Sequence, residues 1–176
     1  MKSLFTLFLS LSSLLLFSQN SNMAAGAVSP LALYSNEWND VKYSNCNTAV
    51  NAAYLSNSEK EVIYILNLIR SYPALFANTV LKKYPALSGN GYLADDTYYF
   101  KSLVNTLLTL PPLQILYPDK DCFISAKSHA YQSGITGYVG HERKVPDSKL
   151  KKQYYGECCD YGHKDPLDII LSLLID

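Results

Sequence analysis

The stretch SEKEVIYILNLIRS, residues 58–71, decides how the rest of the chain is read. Ser58 and Glu61 are spaced as a capping box, in which the serine oxygen accepts from an orphan N–H of the first turn and the glutamate reaches back. Val62, Ile63, Leu66 and Ile69 follow at helical spacing, so a helix is expected from Ser58 to about Ser71. Pro73 can open a second helical piece through Leu81, because its fixed φ already suits a first turn. Gly89-Asn90-Gly91 marks a turn, after which Asp95 or Asp96 can cap a helix burying Phe100, Leu103, Val104, Leu107 and Leu108. Pro111 and Pro112 end it. Asp119 then caps a helix with Phe123, Ala126, His129, Ala130 and Ser133 on one side and Gly134 at its end.

Beyond Gly134 the character changes. Gly134, Gly137 and Gly140 punctuate a stretch that cannot hold a helix well, and loop and short strand are expected. Gln153 to Tyr155 has strand composition, and Asp165-Pro166 pairs an N-cap with proline at the first helical position. The helix that starts there carries Leu167, Ile170, Leu171 and Leu174. It is so apolar that the domain is expected to continue past Asp176 and the chain to be truncated at its C-terminus.

The opposite end reads as a signal for export. Lys2 precedes an apolar run of about 14 residues, Leu4 to Phe17, and the polar Ser18 to Asn22 follows. That run is too short to cross a hydrocarbon core of roughly 30 Å, and no stop-transfer pattern follows it. Residues 1–20 are therefore expected to be a signal peptide and the rest to be secreted, with no membrane span. Residues 21–57 show no sustained period and read as an extended lead-in, laid across the domain by Trp38 and Tyr43. Residues 58–176 are the domain proper.

Lysine plus arginine and aspartate plus glutamate balance at 15 each, so the chain has no electrostatic footprint for nucleic acid or an anionic membrane. Cys46, Cys122, Cys158 and Cys159 all lie in the part expected to be exported, where disulfides persist. Adjacent Cys158 and Cys159 would bond each other only through a strained ring, so a bridge from one of them to Cys46 is expected. Cys122, among apolar residues on a helix, reads as a buried thiol. No serine sits in a Gly-x-Ser-x-Gly turn, and the cysteine pair has no base nearby in sequence. Phosphate-cradling glycine loops and zinc-finger spacings are also missing from the sequence.

The histidines differ in setting. His129 falls on the apolar side of its helix and reads as a core imidazole. His141 follows three glycines in a loop, where backbone can approach a ligand. His163, in Gly-His-Lys-Asp, reads as an exposed loop residue. Glu157 lies between tyrosines and a cysteine pair, where a carboxylate is costly to bury without a partner such as an imidazole.

Several pieces in order carry a family resemblance: the segment from Asn67 through Arg70 and Pro73, Leu110 to Leu113, Ser125 to Ala130, Gly140-His141-Glu142-Arg143, Gly156-Glu157-Cys158, and the helix from Asp165 to Asp176. Together they resemble the CAP superfamily of cysteine-rich secretory, antigen 5 and pathogenesis-related 1 proteins, also called SCP-like, and its bacterial members above all. The resemblance implies an α+β fold, a CAP-type α-β-α sandwich, here helix-rich and lacking its C-terminal strands. It implies a cleft lined by two histidines and two acidic residues. His141 matches the first cleft histidine, and Glu157 the glutamate of a Gly-Glu-Asn motif that reads Gly-Glu-Cys in this chain. The segment bearing the second histidine is absent, and the second acidic position has no clear match, Asp168 and Asp176 being nearest.

His141 and Glu157 are thus the candidate ligand-binding cleft, with His141 the candidate metal ligand. Imidazole and carboxylate suit a divalent metal such as zinc, although a firm zinc site takes four ligands, or three and water. The implied function is a non-enzymatic binding module for a small apolar ligand, a metal or an extracellular protein partner. The alternative is a metal-assisted hydrolase or peptidase on the same cleft, which the unmatched second histidine and acid disfavour.

Overall fold

The computed structural model describes residues 28–88, 97–143 and 156–175. The signal peptide expected at residues 1–20, the turn at 89–91, the caps at Asp95 and Asp96 and the strand composition at 153–155 lie outside these residues.

Two 3-10 helices, Asn36–Asn39 and Val41–Cys46, precede α1 (Asn57–Ser71). α2 (Pro73–Phe76) passes through a π-helical turn (Ala77–Leu81) into α3 (Lys82–Ser88). α4 (Tyr98–Thr109), α5 (Lys120–Thr136) and α6 (Pro166–Ile175) follow.

Local chemistry explains most of the boundaries. The capping box of α1 is the one formed by Ser56 and Glu59: Ser56 N–H donates to Glu59 Oε2 at 2.6 Å and Glu59 N–H to Ser56 Oγ at 3.3 Å. Ser56-x-x-Glu59 and Ser58-x-x-Glu61 share one spacing, so the motif alone does not choose between them. Thr97 caps α4, accepting from Phe100 N–H at 3.2 Å, and Asp119 caps α5, accepting from Cys122 N–H at 2.7 Å. Asp165 accepts from Leu167 N–H at 2.9 Å ahead of α6. α5 runs past Gly134 and stops at Gly137, whose φ of 67° is the left-handed cap that glycine adopts without steric cost.

The core gathers Leu31, Trp38, Ile65, Leu68, Phe76, Leu81 and Leu171, each at most 1% exposed. α1 packs against α6, and α4 against α2 and α6. Residues 28–57 contribute to this core rather than lying extended. The Trp38 indole N–H donates to Thr79 Oγ1 at 3.0 Å, and its ring lies 5.1 Å from that of Tyr43, which meets Tyr72 edge-on at 4.7 Å.

Asn67, fully buried on α1, latches the long connection between α4 and α5. Its Nδ2 donates to Cys46 O, Thr48 Oγ1 and Leu116 O, and its Oδ1 accepts from Leu116 N–H at 2.7 Å. One turn on, Arg70 O accepts from Leu113 N–H at 2.7 Å and Arg70 Nε donates to Gln114 O at 2.9 Å. This connection delivers the chain to α5.

The α+β expectation is corrected: the described residues form helices and no strand, so they are not an α-β-α sandwich. The physical reason lies in residues 138–143 and 156–161, which meet through side chains where a sheet would need a backbone ladder. Tyr161 Oη accepts from Gly140 N–H at 2.9 Å and donates to Gly140 O at 3.2 Å. Gly140 (φ 142°) and Gly162 (φ 109°) also take backbone that no strand uses.

The cysteines depart from expectation as well. No disulfide joins Cys46, Cys122, Cys158 or Cys159. Cys46 is buried with its Sγ 3.7 Å from Ser71 Oγ on α1, whereas Cys159 lies beside His141, so the two thiols have different partners. Cys122 is exposed in the first turn of α5. Among the described residues, no helix is long and apolar enough to cross a membrane.

Candidate functional site

α5 sets up the site by burying a polar face. Ser125, His129 and Ser133, spaced four apart and so stacked on one side of the helix, are buried, whereas Ile124, Tyr131 and Ile135 face solvent. The sequence led us to expect Ala126 and Ala130 on the buried side with His129, and both are exposed. His129 is only 6% exposed, and its Nε2 lies 2.9 Å from Gly140 O and 3.6 Å from Glu157 Oε2.

The loop after α5 brings the second wall. A β-carbon on Gly140 would meet Tyr138 Oη at 2.7 Å, and the φ of 142° is itself one that L-residues rarely adopt. Glycine at this position therefore permits the close approach of Tyr138, whose hydroxyl accepts from Glu142 N–H at 3.2 Å. His141 and Arg143, two residues apart in a segment without helix, both reach Glu157. His141 Nδ1 is 3.2 Å from Glu157 Oε2, and Arg143 Nη2 is 2.6 Å from Glu157 Oε1.

The third wall is the segment carrying Glu157 and Cys159, anchored from below by Asp160. Asp160 Oδ1 takes His163 Nδ1 at 2.6 Å and accepts from Ser172 Oγ on α6, which ties the segment to the core. His163 is consequently half-buried. Cys159 Sγ lies 3.6 Å from His141 Nδ1, while Cys158 is exposed. Glu157 and Cys159 both meet His141, while Cys158 between them is exposed.

The electrostatics of the cluster centre on Glu157. Burial pushes its carboxyl up, but hydrogen bonds from His141, Cys159 and Arg143 outweigh that and hold it below the usual carboxylate range. Asp160 follows the same logic: burial raises it, and the bonds from Ser172 and His163 lower it further. The Cys159 thiol is pushed up, first by burial and then by the neighbouring Glu157.

His141 and Glu157, the two site residues read from the sequence, are neighbours, His141 largely exposed and Glu157 largely buried. Asp168 is not with them; its carboxylate accepts from Tyr84 Oη, joining α3 to α6. His129, read from the sequence as a core imidazole, is buried against Gly140 O and also faces Glu157. Arg143 and Cys159 were not among the expected site residues, although each sits two residues past one. His129, Glu157 and Cys159 each offer one ligand atom, all within 4.8 Å of one another, a grouping that could hold a metal ion. No family model, no curated protein and no solved structure matches this chain.

Proposed function

We propose that the chain is a secreted binding module of the CAP or SCP-like kind, carried on a helical scaffold, whose cleft around His141 and Glu157 takes a divalent metal of the zinc class. The observation that carries this reading is the single carboxylate of Glu157 shared by Arg143, His141 and His129, at 2.6, 3.2 and 3.6 Å. Arg143 holds Oε1, which leaves Oε2 facing both imidazoles. Imidazole nitrogen and carboxylate oxygen are the donor types that zinc prefers alongside thiolate. Binding is favoured over catalysis because the Glu157 carboxylate is held by Arg143 in an ion pair at 2.6 Å, a fixed anion suited to holding a ligand. The signal-like residues 1–20 and the motif Gly140 to Arg143 with Gly156 to Cys158 support the secreted and SCP-like parts of the reading.

Histidine NMR during zinc titration tests it, on the native chain and on Glu157→Gln. Zinc should perturb the His141 and His129 signals and leave His163, held by Asp160, in place; Glu157→Gln should weaken the response. Zinc leaving all the histidines unmoved would remove the metal-binding reading.

A further inference from the structure

The cluster holds more than a histidine and carboxylate pair, and its separations identify what kind of metal it suits. A tetrahedral zinc ion with Zn–S near 2.3 Å and Zn–N or Zn–O near 2.0–2.2 Å sets its ligand atoms about 3.3–3.7 Å apart. Three of the six pairs stand close to that: His141 Nδ1 to Glu157 Oε2 at 3.2 Å, His129 Nε2 to Glu157 Oε2 at 3.6 Å, and Cys159 Sγ to His141 Nδ1 at 3.6 Å, with His141 outside the mutually close group. His129, Glu157 and Cys159 fall within 4.8 Å of each other. The elements that aim them are fixed independently: α5 buries His129, Arg143 takes the other oxygen of Glu157, and Asp160, the residue after Cys159, ties that segment to α6.

We propose that Cys159 is a thiolate ligand of this centre, which with Glu157 and His129, and with the exposed His141 turning in as the fourth ligand, makes a one-sulfur site selective for borderline and soft divalent metals over magnesium or calcium. This rests on the metal-binding reading given above and goes beyond it in naming the sulfur and the metal class. Hard cations demand oxygen-rich shells of six or more ligands, which two imidazoles and a thiolate do not supply. On entry of the metal, Cys159 gives up its thiol proton to solvent and the Sγ lone pair binds the ion. His129 Nε2 exchanges its contact with Gly140 O for the metal and carries its proton on Nδ1. Cys158, exposed and on the other side of the chain, takes no part.

Cobalt(II) is the probe, added to the full chain kept reduced with a phosphine. A sulfur-to-cobalt charge-transfer band should appear in the near ultraviolet, persist in Cys158→Ser and vanish in Cys159→Ser. Loss of the sulfur should weaken binding at least as much as the roughly 10–100-fold that loss of a supporting contact costs. Excess magnesium should not displace cobalt. A wild-type measurement covers the case of a misfolded variant: zinc should protect Cys159 from iodoacetamide, while the exposed Cys122 and Cys158 are alkylated as before, read by peptide mass spectrometry. Cobalt binding without the band, a band that follows Cys158, or equal alkylation of Cys159 with and without zinc would each overturn the thiolate and leave the histidine and carboxylate reading standing. Absence of any zinc or cobalt binding would overturn both.

Discussion

Arg143 Nη2 donates to Glu157 Oε1 at 2.6 Å, and both side chains are only 10% exposed. This pair carries the carboxylate of the site into a largely buried position, where it would otherwise be costly to keep charged. Arg143→Ala should therefore leave an under-compensated buried charge and destabilise the protein by about 3 kcal/mol, the lower end for breaking a buried pair. Urea denaturation gives the number. A loss under about 0.5 kcal/mol, the range of an ordinary surface substitution, would mean that water replaces the guanidinium freely.

Acid should loosen the same region first. Glu157 and Asp160 both titrate below the usual carboxylate range in the fold, so each binds its proton less readily folded than unfolded. Their contribution is complete above the unfolded pKa of about 4 and is lost as pH falls through the lower folded values. Thermal melts at decreasing pH should drop more steeply below about pH 4 in the native chain than in Glu157→Gln with Asp160→Asn. Parallel curves would show that neither carboxylate is held as described.

Gly140→Ala should be damaging for two separable reasons, the 2.7 Å approach to Tyr138 Oη and the φ of 142°. Adding Tyr138→Phe relieves the first, leaving the ring carbon Cζ at 3.1 Å, and does not touch the second. The double variant should recover part of the lost stability and leave a residue of about 1 kcal/mol or more from the backbone. Full recovery would locate the whole cost in the hydroxyl contact.

Asn67→Ala removes four hydrogen bonds from a fully buried side chain and takes the partner from Cys46 O and Leu116 N–H, while Thr48 Oγ1 and Leu116 O keep each other. A cost of about 3 kcal/mol is expected, since each buried group left unmet costs about 1–3 kcal/mol before relaxation and water entry. Amide exchange at Leu116 should accelerate more than exchange within α1. Unchanged exchange there would mean that Arg70 alone holds the connection.

Leu171→Ala in α6 should cost about 2–5 kcal/mol, as for a packed core leucine. Leu171 is 0% exposed and α6 lies against α1, although its composition alone suggested an uncovered apolar face. Chemical denaturation measures it, and a cost well under 1 kcal/mol would mean that the segment frays in solution.

What the sequence determined by itself is local. Helical spacing from Val62 to Ile69, the Asp119 cap, the Asp165-Pro166 start and the stop before Pro111 are all interactions within a turn or two, and the helices lie where that chemistry puts them. The pairing of His141 with Glu157 was suggested by likeness to a family, and their contact is a fact of tertiary geometry. The structure alone decided which face of α5 turns inward. An apolar count favours Ala126 and Ala130, yet partners for His129 exist only where Gly140 O and Glu157 arrive from later in the chain. Among the described residues the same holds for the lack of a sheet: Tyr161, Arg143 and Asp160 spend their bonds on side-chain and loop contacts where a backbone ladder would be needed. Cys159 shows the limit most plainly: two cysteines adjacent in sequence are alike until the fold turns one toward His141 and leaves the other in solvent.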